Sequence, residues 1–485
     1  MRKKEVTGEK LSLSQYIMMG VGGIIGAGFF LASGIAIRFS GPAVILNYGL
    51  SAFVMWRVLY ALAEMAGENP AAGSFRVYNQ VYLGKAAGFM SGWIYWTAGV
   101  LVMSSEVTAC GIFTKYWFPD APLWVFTLIY SIMVVYINFK GVKEFGTIEA
   151  WFSFIKVGAL FAMVLIGLWV ILTRFRSTDI GIQNLYIHGG FFAGGIKGFV
   201  FAMLMSLIPF GGIEVAAMAA GSVENPHENV PKGIRGLFFI LIGLYMASIV
   251  ILLILTPWNR IPVNVSPFVS MFRYVRAAYI DSVLNFVVLT AALTTMNAAM
   301  FSVTQVLFSL GQGEWAPEFF TIKNSRGIPI YALGASSIGL ALAVVLSYLL
   351  PGDVYEYITS AAGFMLFFNW EIILLAFMAF LKKRRRGFSK IGVSKMSPET
   401  AAIYPDSIPA PLSRKRIEHE EKAAVRLVAL NQELTTKVAF ILLSIILVSP
   451  VMIPKQRFSV LIAFGIILFL AMAYIIGERL HIFRQ

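Results

Sequence analysis

Twelve apolar runs of about 20 residues, separated by short stretches of Pro, Gly and charge, dominate this 485-residue chain and leave it few ways to fold. They lie near residues 14–38, 42–65, 87–114, 122–138, 147–173, 196–220, 234–255, 281–309, 330–350, 354–381, 436–453 and 458–476. In hydrocarbon every backbone N–H and C=O must find a partner inside the protein, so runs of this length are expected to be transmembrane helices. Composition agrees: 13% of residues are charged, about half the fraction of a soluble domain, and mean hydropathy is +0.76.

The net charge of +14 would suit a nucleic-acid partner if only the sum mattered. Its distribution points elsewhere, and no nucleic acid is expected. With the N-terminus cytoplasmic, 27 of the 39 Lys and Arg fall in inside segments and 10 outside, the other two being Arg57 and Lys156 within spans. That asymmetry places both termini in the cytoplasm of a multi-pass plasma-membrane protein. The basic start, MRKKEVTGEK, runs into a long span with no small-residue cleavage site, so no removable signal peptide is expected. Cys110 is the single cysteine, which excludes an internal disulfide, and His188, His227, His419 and His481 are scattered rather than at metal-ligand spacing. No GxxxxGK phosphate loop is present, which argues against an ATP-driven pump, and nothing reads as an enzyme.

Span 1 contains GVGGIIGAGFF (20–30), five glycines where a helix should be continuous. Span 6, five spans later, contains LIPFGGIE (207–214), in which Pro209 removes a donor and two glycines loosen the turn. Interruptions at corresponding places in two five-span halves point to an inverted-repeat secondary transporter with its site at the breaks. The competing explanation is close helix packing through small residues. The expected organisation is a cytoplasmic N-terminus (1–13), repeats at 14–173 and 196–381, a cytoplasmic loop at 382–434, two further helices at 435–476 and a tail at 477–485. The loop opens with KKRRRGFSK, whose basic residues at 382–386 should favour anionic lipid headgroups.

A half-helix beginning near Gly26 would aim free N–H groups and a positive dipole end into the cavity, suited to a carboxylate. Half-helices ending near Gly22 and Phe210 would present free carbonyls, suited to an ammonium. A site offering both selects amino acids by their common backbone. Three ionisable residues lie well inside spans, where charge is costly enough to imply a role. Lys156 reads as a proton carrier or as a fixed cation paired with a carbonyl or a glutamate; Glu106 reads as a proton site or a helix-pairing acceptor. Glu214, directly after the second break, is expected to bond the free N–H groups there. Arg57, Glu64 and Glu371 read as snorkelling or structural.

These motifs resemble the amino acid–polyamine–organocation superfamily of permeases, in particular its bacterial amino acid transporter branch. The resemblance spans nearly the whole chain and follows family order: GGIIGAGFFLASG (22–34) with GPAV (41–44), LAEMAGENPAAGSF (62–75), AGFMSGWIYW (87–96), EVTA (106–109), FSFIKVGA (152–159), FGGIEVAAMAAG (210–221) with NPHENVPKGI (225–234), and LFSLGQGEWAPEFF (307–320). It implies an all-α polytopic fold of twelve transmembrane helices, five plus five in inverted repeat with helices 1 and 6 broken, then two extra C-terminal helices. It also implies amino-acid import with the proton as coupling ion, without a cofactor, by a monomer or weak oligomer. By position, a substrate carboxylate would meet the backbone of Gly26, Ala27 and Gly28, and its ammonium the carbonyls of Gly23, Ile24, Ile208 and Gly211. Lys156 matches the family lysine that stands where sodium-coupled relatives hold an ion, and Glu106 matches a third-helix acid of this branch. The family's aromatic gate is Ile208 here, its acid after AG is Ser222, and its span-8 arginine is Gln305. Pocket walls near Ile24, Ile208, Ser104, Thr294 and Met296 suggest a neutral, aliphatic substrate. The alternatives are an exchanger or facilitator without proton coupling, and a permease-like receptor.

Overall fold

The computed structural model describes residues 11–68, 74–140, 145–174, 180–214, 216, 223–263, 265–274, 279–390 and 414–479, and among these the regular structure is helical. The first helix, α1 (Leu13–Ile24), starts at a capping box: Ser12 Oγ accepts from the Gln15 N–H at 3.3 Å, and Gln15 Oε1 accepts from the Ser12 N–H at 2.9 Å. It stops at Ile25, which is extended, and the chain resumes as a wide π-turn (Gly28–Ala32) that passes into α2 (Ser33–Ser40). Next come α3 (Val44–Glu68), α4 (Ser74–Leu83), α5 (Lys85–Thr114), α6 (Leu123–Lys140) and α7 (Phe145–Arg174).

The second broken segment begins with α8 (Gly195–Leu207) and a tight 3-10 turn, Ile208–Phe210. Residues 215 and 217–222, Ser222 included, lie outside the described residues. The remaining helices are α9 (Pro226–Leu255), α10 (Pro267–Tyr274), α11 (Ile280–Gln312), α12 (Ile330–Leu349), α13 (Val354–Lys390), α14 (Arg414–Val448) and α15 (Pro454–Arg479). Ten helical stretches are long and apolar enough to cross a membrane, one of them, Gly28–Ala66, running through α2 and α3; Gly195–Phe210 is a shorter apolar helix. Each of the twelve apolar runs overlaps these elements, the run at 196–220 as far as Phe210. The expected 382–434 loop is trimmed at both ends, because α13 runs on to Lys390 and α14 begins at Arg414 and enters the apolar run without interruption.

Two groups of helices share most of their contacts internally. In one, α1 packs on α9 and α3 on α8 and α9; in the other, α5 runs against α11 and α13 while α12 packs on α5 and α6. Aromatic stacking fixes the resumed half of helix 1 within the first group. Phe29 stacks on Tyr245 of α9, with centroids 4.0 Å apart and planes 7° from parallel, and on Phe268 of α10 at 4.8 Å.

Candidate functional site

The two breaks face each other across a narrow gap. A Cβ on Gly212 would lie 3.1 Å from the Gly23 carbonyl oxygen, and one on Gly28 would lie 3.0 Å from Ile208 Cγ2. Gly212 also has a φ of +97°, which glycine alone adopts without strain. The glycines of GVGGIIGAGFF thus divide: Gly20 and Gly22 admit Leu237 and Ser153 of neighbouring helices, whereas Gly26 and Gly28 keep the break open towards helix 6 and the cavity. The motif thus combines close helix packing at Gly20 and Gly22 with an interruption at Gly26 and Gly28.

An interrupted helix must satisfy the backbone groups it releases, and here side chains take most of them. Lys156 Nζ donates to the Gly22 carbonyl at 2.9 Å and to Thr295 Oγ1 at 3.2 Å; Thr295 Oγ1 in turn donates to the Ile25 carbonyl at 3.1 Å. Across the break the Ala27 N–H donates to Glu106, 3.1 Å from each carboxylate oxygen. Tyr355 donates to the Ala27 carbonyl at 3.4 Å, and Tyr245 to the Pro209 carbonyl at 3.1 Å. Gly23 and Ile24 border the cavity. Gly26 lies at the centre: a Cβ there would meet Glu106 Oε1 at 2.6 Å and Thr295 Cγ2 at 2.9 Å.

Beside the breaks is a cavity of about 100 Å³. Three helices complete it, each through one stripe at helical spacing: Tyr95, Gly99, Val102, Ser105 and Glu106 on α5; Thr295, Ala298, Ala299 and Ser302 on α11; Tyr355, Thr359, Ala362, Gly363, Leu366 and Phe367 on α13. Of the expected binding residues, Gly23, Ile24, Gly26, Gly28, Ile208 and Gly211 line it, and so does Glu106. Ala27 is fully buried and its N–H is held by the Glu106 carboxyl group, which stands where a substrate carboxylate was expected. Phe210 and Lys156 are buried behind the wall.

The side-chain pocket expected at Ser104, Thr294 and Met296 is corrected by the structure. Ser104 donates to the Gly339 carbonyl of α12 at 2.9 Å, Thr294 bonds back to Ala291 of its own helix, and Met296 is buried in a separate cluster. Each lies one residue from a position that does face the cavity, Ser105 or Thr295, and one residue is a rotation of about 100°. Glu214, expected at the second break, lines the cavity, accepts from the indole N–H of Trp370 on α13 at 2.5 Å and lies beside the backbone N–H groups of Gly212 and Glu214. The whole α13 wall went unread in the sequence, although its small and aromatic residues recur every three or four positions from Tyr355 to Trp370.

A second cavity, of about 380 Å³, lies at the end of the molecule that carries Lys115 and Arg273. Tyr355 lines both cavities.

The sequence model of the family described as "Amino acid permease" matches residues 15–398. The chain is 37% identical to the uncharacterized amino acid permease YtnA of Bacillus subtilis (strain 168) over 75% of its own length and 79% of that protein's. It is 35% identical to the aromatic amino acid transport protein AroP of Escherichia coli (strain K12), over 80% of this chain and 84% of the relative. The AroP of Shigella flexneri matches to the same extent.

Proposed function

The chain belongs to the amino acid permease family, and from that premise we propose that it imports a neutral amino acid with an aliphatic side chain across the plasma membrane, by proton symport and alternating access. The observation that carries the reading is Glu106 on the Ala27 N–H, beside Gly26 and facing the cavity. An amino acid that docks its carboxylate on the backbone at Gly26 and Gly28 must approach this carboxylate. Two unit negative charges about 4 Å apart repel by about 4 kcal/mol at the effective dielectric of a partly buried site. Protonation of Glu106 removes that repulsion and releases the Ala27 N–H to the substrate, so proton and substrate enter together. Lys156, tied to Gly22 and through Thr295 to Ile25, senses the geometry of the same break and carries the second proton-dependent contact. The substrate ammonium meets the carbonyls of Gly23 and Ile24 and the helix-6 break at Ile208 and Gly211.

Once substrate and proton are bound, the group of α1, α2, α3, α8 and α9 rocks against the group of α5, α6, α11, α12 and α13. The end bearing Lys115 and Arg273 is extracellular, both termini are cytoplasmic, and the basic residues at 382–386 rest against anionic headgroups. No metal or organic cofactor enters this scheme, and the chain works as a monomer or weak oligomer.

Ile208 supports an aliphatic side chain. It fills the space between Gly28 and Gly363, where added Cβ atoms would meet it at 3.0 Å and 3.1 Å, and narrows the cavity that an aromatic ring would need. The AroP relatives, named for aromatic amino acids, supply the competing reading. Competition in reconstituted vesicles separates the two: leucine, isoleucine or valine should displace labelled substrate at lower concentration than phenylalanine or tryptophan. The reverse order transfers the assignment to aromatic substrates. Counterflow that never responds to pH would make the protein an exchanger, and binding without flux would make it a receptor.

A further inference from the structure

Three ionisable side chains left outside the transport scheme, Arg57, Glu64 and Arg384, meet in one network at the cytoplasmic end of α3. Arg57 is buried within the span, 6% exposed, and its Nη2 donates to Thr436 Oγ1 of α14 at 2.7 Å and to the Gln432 carbonyl at 3.2 Å. Its guanidinium lies over the Tyr60 ring, 5.1 Å from the centroid. Tyr60 is the central node: its hydroxyl accepts from Gln432 Nε2 of α14 and donates to Glu64 Oε1 at 2.9 Å. The other Glu64 oxygen, Oε2, accepts from Arg384 Nη1 of α13 at 3.1 Å.

We propose that this network is a cytoplasmic clasp in which α14 stays bound to α3 while the Glu64–Arg384 pair breaks each time the cytoplasmic side opens. The inference rests on the proposed transport reading, because that reading puts α3 and α13 in groups that move against each other. The two halves of the network differ in what separation costs. Pulling Arg57 away from Thr436 and Gln432 would strand a guanidinium in a low-dielectric interior, so that contact is kept. Glu64 and Arg384 are 32% and 41% exposed at the membrane edge, so water can solvate both when they part. The same pair joins α3, in the first group, to α13, whose inner face lines the cavity, and so its separation marks cytoplasmic opening.

The test uses the full-length protein in inside-out vesicles, in a Cys110→Ala background with Ser302→Cys on the cavity wall as reporter. The rate of alkylation by a membrane-impermeant maleimide from the cytoplasmic side is measured. Glu64→Gln and Arg384→Gln should each raise that rate about two- to fivefold, the range expected for losing a half-exposed ion pair. The charge exchange Glu64→Arg with Arg384→Glu should return it to within about twofold of the parent. A Val263→Cys reporter at the opposite cavity, probed from the extracellular side, should become less reactive in the two single variants. An unchanged Ser302→Cys rate in either single variant overturns the clasp. So does a rise that the charge exchange does not reverse, or one accompanied by faster labelling of Val263→Cys, since both indicate general loosening. Absence of amino-acid uptake by the parent protein would defeat the transport reading instead, and the labelling ratios report on the clasp independently of flux.

Discussion

Gly26 has little freedom to change, because the volume of one methyl group there is already taken by Glu106 and Thr295. Gly26→Ala should therefore lower uptake about tenfold or more at normal membrane abundance, since small displacements of a positioning backbone are costly. Gly28→Ala should cost less, because its Cβ meets one methyl group of Ile208 at 3.0 Å and otherwise nothing closer than 3.7 Å. Glu106→Gln keeps an acceptor for the Ala27 N–H and removes the negative charge. It should bind substrate with affinity independent of pH, measured by ligand-induced thermal stabilisation, and should lose proton-driven accumulation. Lys156→Ala should lose accumulation while retaining counterflow, measured by exchange of labelled for unlabelled substrate. At this scale the interruption between Gly23 and Gly28 was readable in the sequence, because glycine and proline mark where a helix cannot continue. Ser104, Thr294 and Met296 were not, because their error is a matter of helix rotation. An all-apolar span carries little contrast between faces, and its phase is set by neighbours that the sequence does not name.

Among the elements, the two broken helices depend on tyrosines and charged groups from other helices to replace the hydrogen bonds they forgo. Tyr245 shows the principle: it is fully buried, its ring stacks on Phe29, and its hydroxyl reaches the Pro209 carbonyl. Tyr245→Phe keeps the stacking and leaves that carbonyl without its donor. It should destabilise the protein by about 1–3 kcal/mol, seen as a lower unfolding temperature in detergent. The breaks themselves were foreseen from GGIIGAG and LIPFGGIE, and their pairing in space confirms that correspondence between the halves carried structural information. The residues that repair them were less legible. Glu106 and Lys156 stood out because charge inside an apolar run is conspicuous, whereas Tyr245, Tyr355 and Thr295 resemble any other membrane-helix residue. The same contrast explains α13: its cavity face is built from Ala, Gly, Thr and aromatic residues that do not differ in kind from those facing lipid.

For the whole molecule, the order of apolar runs and their punctuation settled the helical architecture, because length and hydrophobicity alone decide what crosses a bilayer. The account's central claim belongs to this scale: the energy of a proton gradient reaches the amino acid through one carboxylate that shares a helix end with it. The most direct test is uptake of labelled leucine into reconstituted vesicles with an imposed gradient, acidic outside, compared for the parent protein and Glu106→Gln. The account predicts that the parent accumulates leucine transiently above its external concentration, that a protonophore abolishes the overshoot, and that Glu106→Gln equilibrates leucine without one. An overshoot of equal size in Glu106→Gln, or none in a parent protein that still exchanges leucine, would contradict it.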